Sequence, residues 1–413
     1  MNPCFEKAKT ASKDVARLSD AVRSGILKEL ASRIETCSNM LLEANKSDLE
    51  KMDVSNPLYD RLLLSEERLS GIAEDMRKVA LLPSPLGNVT LDRVLPNGLH
   101  LRRVSVPFGV IGVVYEARPN VTFDVFSLCF KAGSACVLKG GKDASSSNAA
   151  AVELIRSVLS GNGINPDAVT LLEPTHEAVG ELLEAVGYVD LVIPRGGRRL
   201  IDYVRKNSVV PCIETGAGVV NAYFDAEGSL EVGKAVVLNA KTRRVSVCNA
   251  LDCLIVHSSR LKDLPALAAP LAYASTPVEI IADARSYDAL KGVYPYLSHA
   301  DGETYGTEFM DYKMALRTVD SLEEALMHIA RYGSGHSEAI ITDNPGTAAA
   351  FQAEVDAACV YVNSPTSFTD GAQFGFGAEI GISTQKLGAR GPMGLPEICT
   401  YKYLIDGYGQ TRP

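Results

Sequence analysis

The chain has 413 residues, more than one hydrophobic core usually organises, so two or three domains are expected. Its 46% apolar and 22% charged residues are the balance of a soluble globular protein, and a net charge of −9 without a basic helix or aromatic RNA-binding motif argues against nucleic acid as a partner. The first thirty residues lack the apolar core of a signal peptide and no run approaches the roughly eighteen residues of a membrane span, so a cytoplasmic protein without a membrane partner is expected.

Up to about residue 80 the chain reads as helix, with Val15, Leu18, Val22, Ile26, Leu30 and Ile34 recurring at steps of three and four. Asn97-Gly98, set among Val94, Leu95, Leu99, Leu101 and Val104, signals a two-residue hairpin in which both turn positions need positive φ. A two-stranded ribbon over 91–106 is marginal by itself and wants a partner. From about 108, short apolar runs at 109–114, 135–138, 169–172, 191–193 and 212–213 alternate with helical segments. That alternation predicts an α/β fold built on a doubly wound parallel sheet. The second half repeats it, with strands at 251–256, 279–282, 339–342 and 359–363 and a helix over 320–331. The domain boundary is expected near 228–240, after Asp225-Ala-Glu-Gly228. Residues 371–391 are glycine-rich and read as a folded loop near a ligand. The strand-like segment 398–404 pairs either with the ribbon or with another subunit.

Nine scattered cysteines, with no CxxC pair, and six histidines without an HExxH indicate neither a disulfide framework nor a metal site. In a two-domain α/β protein, ligands are expected at the carboxy-terminal ends of strands and between domains. No GxGxxG is present: Gly216-Ala-Gly218-Val-Val-Asn221 and Gly375-Phe-Gly377-Ala-Glu-Ile-Gly381 each lack the third glycine and read as turns. A P-loop is absent because Asp143, not Ser or Thr, follows Lys142. Strand 135–138 runs into Lys139-Gly140-Gly141-Lys142-Asp143 and a helix from about Ser145. Two ammonium groups and a helix amino terminus there suit a 2'-phosphate; the alternative is that Asp143 caps the helix and both lysines are solvated. Pro194-Arg195-Gly196-Gly197 either holds a phosphate or makes a tight turn. Pro119 biases Arg118 away from helix and starts the next one, which aims Arg118 and Asn120 out of the sheet top. Cys248, in Asn239-Ala-Lys-Thr-Arg-Arg-Val-Ser-Val-Cys248-Asn249, is the candidate working thiol, with Lys241, Arg243 and Arg244 to favour its thiolate. Its other reading is a small apolar residue opening a buried strand.

The order Pro119-Asn120, Lys139, Glu214-Thr-Gly216, Cys248, Glu308-Phe309 resembles the aldehyde dehydrogenase superfamily across nearly the whole chain. Within it, Glu116-Ala-Arg-Pro-Asn-Val121, Asn239-Ala-Lys-Thr242 through Ser246-Val-Cys248-Asn249, residues 319–340 with His328-Ile329, Tyr332-Gly-Ser334 and His336-Ser-Glu338, and Ser383-Thr-Gln-Lys-Leu387 through Ala389-Arg-Gly-Pro-Met-Gly394 resemble the gamma-glutamyl phosphate reductases. The resemblance implies an aldehyde dehydrogenase-like fold with two doubly wound parallel-sheet domains plus an oligomerisation β-ribbon. The cofactor-binding domain would take 1–90 and 107–235, the catalytic domain 236–390, and the ribbon 91–106 with 391–413.

It also implies NADPH-dependent reduction of L-glutamyl 5-phosphate to glutamate 5-semialdehyde and phosphate, the second step of proline synthesis. In that reaction Cys248 is the nucleophile, and Asn120 with the Cys248 amide holds the oxyanion. Lys139 would bind the adenosine ribose. Lys142 stands where NAD-using relatives carry a glutamate, which favours the 2'-phosphate of NADPH over NADH. Arg195, Gly196, Gly197, Glu308 and Phe309 complete the cofactor site. Arg118, His336 and Arg390 are the candidate cations for the substrate's phosphate or carboxylate. Glu214 matches the water-activating base of oxidising dehydrogenases; in a reductase a structural or proton-handling role is expected for it. A homo-oligomer is implied, with glutamate 5-kinase as a partner that passes on the labile intermediate. No kinase-like segment precedes the reductase, so the bifunctional form is not expected. The competing readings are an oxidising or CoA-acylating aldehyde dehydrogenase, favoured by Glu214, and a silent nucleotide-binding member, which an intact Cys248, Asn120 and Glu308 disfavour.

Overall fold

Helix starts in the amino-terminal third follow from its caps. Asn2 accepts a hydrogen bond from the Cys4 amide and Pro3 fills the first turn of the helix Pro3–Arg17. Ser19 and Ser65 cap Asp20–Thr36 and Glu66–Leu81 in the same manner. The single apolar stripe expected from Val15 to Ile34 is interrupted there: the Ser19 cap restarts the helical phase, burying Ile26, Leu30 and Ile34 but leaving Val22 42% exposed. The computed structural model describes residues 2–54, 56, 59–116 and 118–412.

These helices belong to a first compact unit, Met1–Thr215 with Gly375–Gly381 and Met393–Pro413. Its four-stranded parallel sheet has the spatial order Val169–Leu171, Ala135–Lys139, Val110–Tyr115, Leu191–Arg195. Every residue of Val110–Tyr115 is buried, as a strand covered on both faces requires. The chain steps outward from that strand to Val169–Leu171 and then returns to its other side, so the strand order reverses between Val110–Tyr115 and Leu191–Arg195. The 212–213 run is not a strand but a single bridge from Cys212 to Val192.

Val89–Val94, His100–Pro107 and Cys399–Asp406 form a separate three-stranded antiparallel sheet, so the partner the ribbon needs is the carboxy-terminal strand. Its loop differs from the two-residue turn expected. The Leu95 amide donates to the Leu99 carbonyl and the Gly98 amide to the Leu95 carbonyl, each at 2.8 Å, and of the turn residues Gly98 alone takes positive φ, 86°. Pro96 locks its own φ negative, which selects a three-residue loop closed by a left-handed glycine.

The second unit is Gly216–Phe374 with Ile382–Pro392. Seven parallel strands lie in the order Leu297–His299, Glu279–Ala282, Lys313–Val319, Leu251–His257, Val220–Phe224, Ser337–Ile341, Cys359–Val362. Phe224, Leu254, Val256, Leu267, Ile280 and Leu316 pack in its core. The strand Val220–Phe224, interrupted by Asn221 and not anticipated, pairs with Leu251–His257 and Ser337–Ile341. That pairing moves the unit boundary to Thr215/Gly216; the expected boundary at 228–240 instead falls largely on the helix Leu230–Thr242. Residues 371–391 are irregular apart from a short ladder between Ile382–Ser383 and Gly391–Pro392. Among the described residues no helix is long and apolar enough to cross a membrane, and no group of three His, Cys, Asp or Glu could hold a metal ion.

Candidate functional site

In the first unit the candidate residues gather at the carboxy-terminal ends of the strands, beside the reversal of strand order where open α/β sheets bind ligands. The Glu116 amide donates to the Arg195 carbonyl at 3.2 Å, tying the ends of Val110–Tyr115 and Leu191–Arg195 together. A β-carbon on Gly196 would lie 2.7 Å from Glu116 Cδ, and one on Gly197 3.6 Å from Glu116 Oε1, so the Glu116 side chain lies over this glycine pair. The helix Arg198–Asn207 starts directly after them with no side-chain cap. Lys139 ends its strand half-buried, and burial holds its ammonium below the ordinary lysine range. The amino terminus of the next helix is filled from within the chain. The Ser146 and Ser147 amides of Ser145–Gly161 donate to Asp48 at 3.1 and 2.8 Å, so the chain's own buried carboxylate fills the anion position and Asp143 is not the cap. Lys142 remains as an exposed cation beside it.

Pro119 precedes the helix Asn120–Lys131, as its restricted φ favours. Asn120 Nδ2 donates to Asp124 Oδ2 at 3.0 Å. Arg118 is half-buried and its carbonyl accepts from the Val121 amide; Ala117 of the same motif lies outside the described residues. Glu214, also half-buried, has Arg205 Nε 3.9 Å from its carboxylate.

In the second unit the candidates sit at the opposite sheet end from the one expected. Gly218 precedes Val220–Phe224, Cys248 precedes Leu251–His257, Glu308-Phe309 precede Lys313–Val319 and His336 precedes Ser337–Ile341, all at amino-terminal ends of parallel strands. Outward-facing strand amides there need acceptors, and carboxylates supply them. Glu308 Oε1 accepts from the Gly218 amide at 3.1 Å, while Asp252 accepts from the Phe309 amide at 3.1 Å and the Val220 amide at 3.4 Å. Gly218 lies so close beneath Cys248 that a β-carbon would come within 1.6 Å of the Cys248 carbonyl oxygen. Cys248 is partly exposed.

The flanks of its loop are clamped to one segment. Asn249 Nδ2 donates to the Thr369 carbonyl at 3.0 Å, Thr366 Oγ1 to the Asn249 carbonyl at 2.8 Å and Ser367 Oγ to Asn239 Oδ1 at 2.7 Å. Of the cations expected beside the thiol, Arg243 and Arg244 are exposed, and Lys241 is wholly buried with no hydrogen-bond partner for its ammonium among the described residues. Burial pushes the Lys241 ammonium down and the Asp252 carboxyl up, each opposed by the other's charge. Asp252, Asp124, Gly218, Asn249 and Thr366 were not anticipated. A legible signal did exist for the two aspartates, each a lone carboxylate inside an apolar run.

One expected substrate cation, His336, is not a cation at pH 7, and another, Arg390, has a carboxylate partner. His336 is wholly buried, its Nδ1 hydrogen-bonded to Ser337 Oγ at 2.8 Å, and burial pushes its pKa from 6.5 to about 4, so it is neutral at pH 7. Arg390 is paired with Asp356 at 2.8 Å, a carboxylate that Lys386 also contacts. The depressed His336 pKa has a stability consequence. The unfolded chain takes up this proton first on acidification, so the contribution is complete above about 6.5 and is lost as the pH falls towards 4. Between pH 7 and 5 it amounts to about 2 kcal/mol. Chemical denaturation at both pH values should show His336→Gln losing that much less stability than the parent on acidification; an unchanged difference refutes the assignment.

Comparison with known proteins places these features. Gamma-glutamyl phosphate reductase of Parabacteroides distasonis is 60% identical over 410 residues, covering 99% of this chain and 98% of that protein. The crystal structure of gamma-glutamyl phosphate reductase from Thermotoga maritima matches with a TM-score of 0.95 at 38% identity, covering 100% of this chain and 99% of that one. An acetylating aldehyde dehydrogenase from Geobacillus thermoglucosidasius, 16% identical, shares the fold at a TM-score of 0.69 over 100% of this chain and 97% of its own. No family model matches the chain.

Proposed function

The chain belongs to the gamma-glutamyl phosphate reductase family, an oxidoreductase family of aldehyde dehydrogenase-like fold, and from that premise we propose that it reduces L-glutamyl 5-phosphate to L-glutamate 5-semialdehyde with NADPH. The observation that carries the reading is the 60% identity over 99% of the chain. The local setting of Cys248, partly exposed over Gly218 with Glu308 on the same glycine's amide, supports it.

The chemistry divides among the chain's own groups. The Cys248 thiolate attacks the acyl carbon, and Asn120 with the Cys248 amide holds the oxyanion that forms. Phosphate departs with its bonding electrons and leaves a thioester on Cys248. Hydride addition to the thioester would give a thiohemiacetal anion, held by the same Asn120 and Cys248 amide donors, whose collapse would free the aldehyde and return the Cys248 thiolate. NADPH supplies that hydride when bound. Lys139, Lys142, Arg195, Gly196, Gly197, Glu308 and Phe309 are assigned to hold it. The fit is favourable: the helix Arg198–Asn207 that follows Gly197 has no side-chain cap on its amides, and Lys139 is a half-buried ammonium without an ion pair among the described residues. With the helix amides behind it already taken by Asp48, recognition of the 2'-phosphate falls to lysine side chains, Lys142 first. Arg118 and Arg390 are the cations assigned to the substrate. Glu214, beside Arg205, keeps a structural or proton-handling role. We place the reaction in the cytoplasm, after a glutamate 5-kinase, in a homo-oligomer joined through the three-stranded sheet, whose Tyr401, Tyr403 and Ile405 are 56%, 49% and 59% exposed.

The test runs the reaction backwards, as NADP+ reduction by purified protein with glutamate 5-semialdehyde. Turnover that requires inorganic phosphate is expected; turnover indifferent to phosphate overturns the reading in favour of a hydrolytic dehydrogenase with Glu214 as base. A second measurement addresses the cofactor. Lys142→Glu should raise the KM for NADPH by about tenfold while moving that for NADH less than about twofold, since it removes one cation from the 2'-phosphate and adds a repulsive charge. Equal changes in both would remove Lys142 from the cofactor site.

A further inference from the structure

The helix Asn120–Lys131 buries every residue except two, Asn120 and Asp124. They stand one turn apart on one face, and their side chains touch through the 3.0 Å hydrogen bond from Asn120 Nδ2 to Asp124 Oδ2. The helix therefore opens to its surroundings at a carboxamide and a carboxylate and nowhere else. Asp124 forms no ion pair among the described residues, and its Oδ1 accepts no hydrogen bond from them. Arg195, at the end of the neighbouring strand, attracts it from beyond contact distance, and Asp75, on the helix Glu66–Leu81, opposes its charge.

We infer that Asp124 is a specificity-determining residue that receives the α-ammonium of the glutamyl substrate. The inference rests on the reductase reading above, in which Asn120 meets the reacting carbonyl. A glutamyl chain carries its ammonium four bonds from that carbonyl carbon, roughly 5 Å when extended. The helix rises about 6 Å between positions 120 and 124. The phosphate and carboxylate of the substrate call for cations, but its ammonium calls for an anion, and among the groups beside Asn120 only Asp124 supplies one in contact. The raised pKa agrees with a site that lacks its counter-ion: burial raises the Asp124 pKa to about 6, against the pull of Arg195 and the Asn120 hydrogen bond. An arriving ammonium would lower it again and donate a charge-assisted hydrogen bond to the carboxylate.

The experiment compares two aldehydes in the phosphate-dependent NADP+ assay, glutamate 5-semialdehyde and 5-oxopentanoate, which is the same chain without its amine. The parent enzyme should prefer the amino aldehyde. Asp124→Asn, nearly isosteric and able to keep an acceptor towards Asn120, should lower kcat/KM for glutamate 5-semialdehyde by about 100-fold, chiefly through KM. The loss with 5-oxopentanoate should be several-fold smaller, so that the preference collapses, and Asp124→Glu should restore part of it. Cyclisation of the amino aldehyde scales its apparent KM equally in parent and variants and cancels from the comparison. Equal losses on both aldehydes would mean that Asp124 only orients Asn120, and a parent that does not prefer the amino aldehyde would mean that no ammonium site exists; either result overturns the inference. Phosphate-independent turnover by the parent would instead overturn the reductase reading beneath it. Thermal melting of both variants separates these outcomes from misfolding.

Discussion

Cys248→Ser should lower turnover by about four orders of magnitude or more while leaving the protein folded and able to bind NADPH. A serine hydroxyl at this position is a poor substitute because the nucleophile must ionise at neutral pH, and the nearby groups are not built as a general base. His336, which opens a strand of the same sheet end, is neutral but sealed in, with Nδ1 committed to Ser337 and Ser337 Oγ to Thr369 at 2.7 Å. Lys241 is buried, its ammonium balanced against Asp252. Two readouts check the expectation. Steady-state NADP+ reduction should fall below 1% of the parent rate. Intact-protein mass, taken after NADP+ and glutamate 5-semialdehyde are mixed without phosphate, should show one added glutamyl group on the parent and none on the variant. Turnover near the parent rate, or an adduct on the variant, would move the nucleophile elsewhere.

What could be read from the chain alone follows the range of the interactions involved. Val110–Tyr115 was legible as an apolar run, because a strand covered on both faces is mostly apolar, and Leu251–His257 was legible despite Asp252 because Cys253 to Val256 continue the run. Val220–Phe224 and Lys313–Val319 were not, since Asn221 and Arg317 leave shorter runs; Glu338 accepts from the Asn221 backbone and side-chain amides at 3.0 and 2.9 Å across 117 residues, while Asn221 Oδ1 is buried with no hydrogen-bond partner among the described residues. The two-residue hairpin was misread because the left-handed preference of Asn97-Gly98 was weighed without the constraint of Pro96.

The capping of Ser145–Gly161 failed for a related reason. Asp143 is the local candidate, but the cap comes from Asp48, about a hundred positions away in sequence. The candidates of the first unit stand at carboxy-terminal strand ends, whereas in the second unit Cys248, Glu308 and Gly218 precede their strands, a placement that apolar runs alone do not reveal. Residue types and order are what single out Cys248, Asn120 and Glu308 as candidates. Burial, which made His336 neutral, and the pairing that met the charge of Arg390 depend on contacts that sequence does not display.

Gly218 shows how closely the reactive loop is held, and Gly218→Ala is the second large effect expected. The added β-carbon would lie 1.6 Å from the Cys248 carbonyl oxygen, 2.5 Å from its carbonyl carbon and 2.9 Å from its Cα. These are backbone atoms, so no rotamer change relieves the clash, and either Gly218 or Cys248 must move. Gly218 is fixed by its amide hydrogen bond to Glu308 and by the strand it leads into. The Cys248 side is pinned by the bonds from Asn249 and Thr366 to the 366–369 segment. A displacement of about 1 Å at the nucleophile costs on the order of 100-fold in rate, and the strain should also lower stability by several kcal/mol. The expected result is a fall in kcat of at least about 100-fold with a lower melting temperature. The KM for NADPH should rise as well, because Glu308 loses its anchor with the shift. Thr366→Val offers the complementary, milder case: it removes the hydrogen bond to the Asn249 carbonyl without adding bulk, so kcat should fall by about tenfold with the NADPH KM unchanged. Full activity in Gly218→Ala would show that the loop has slack, and the close approach would then have no part in placing the thiol.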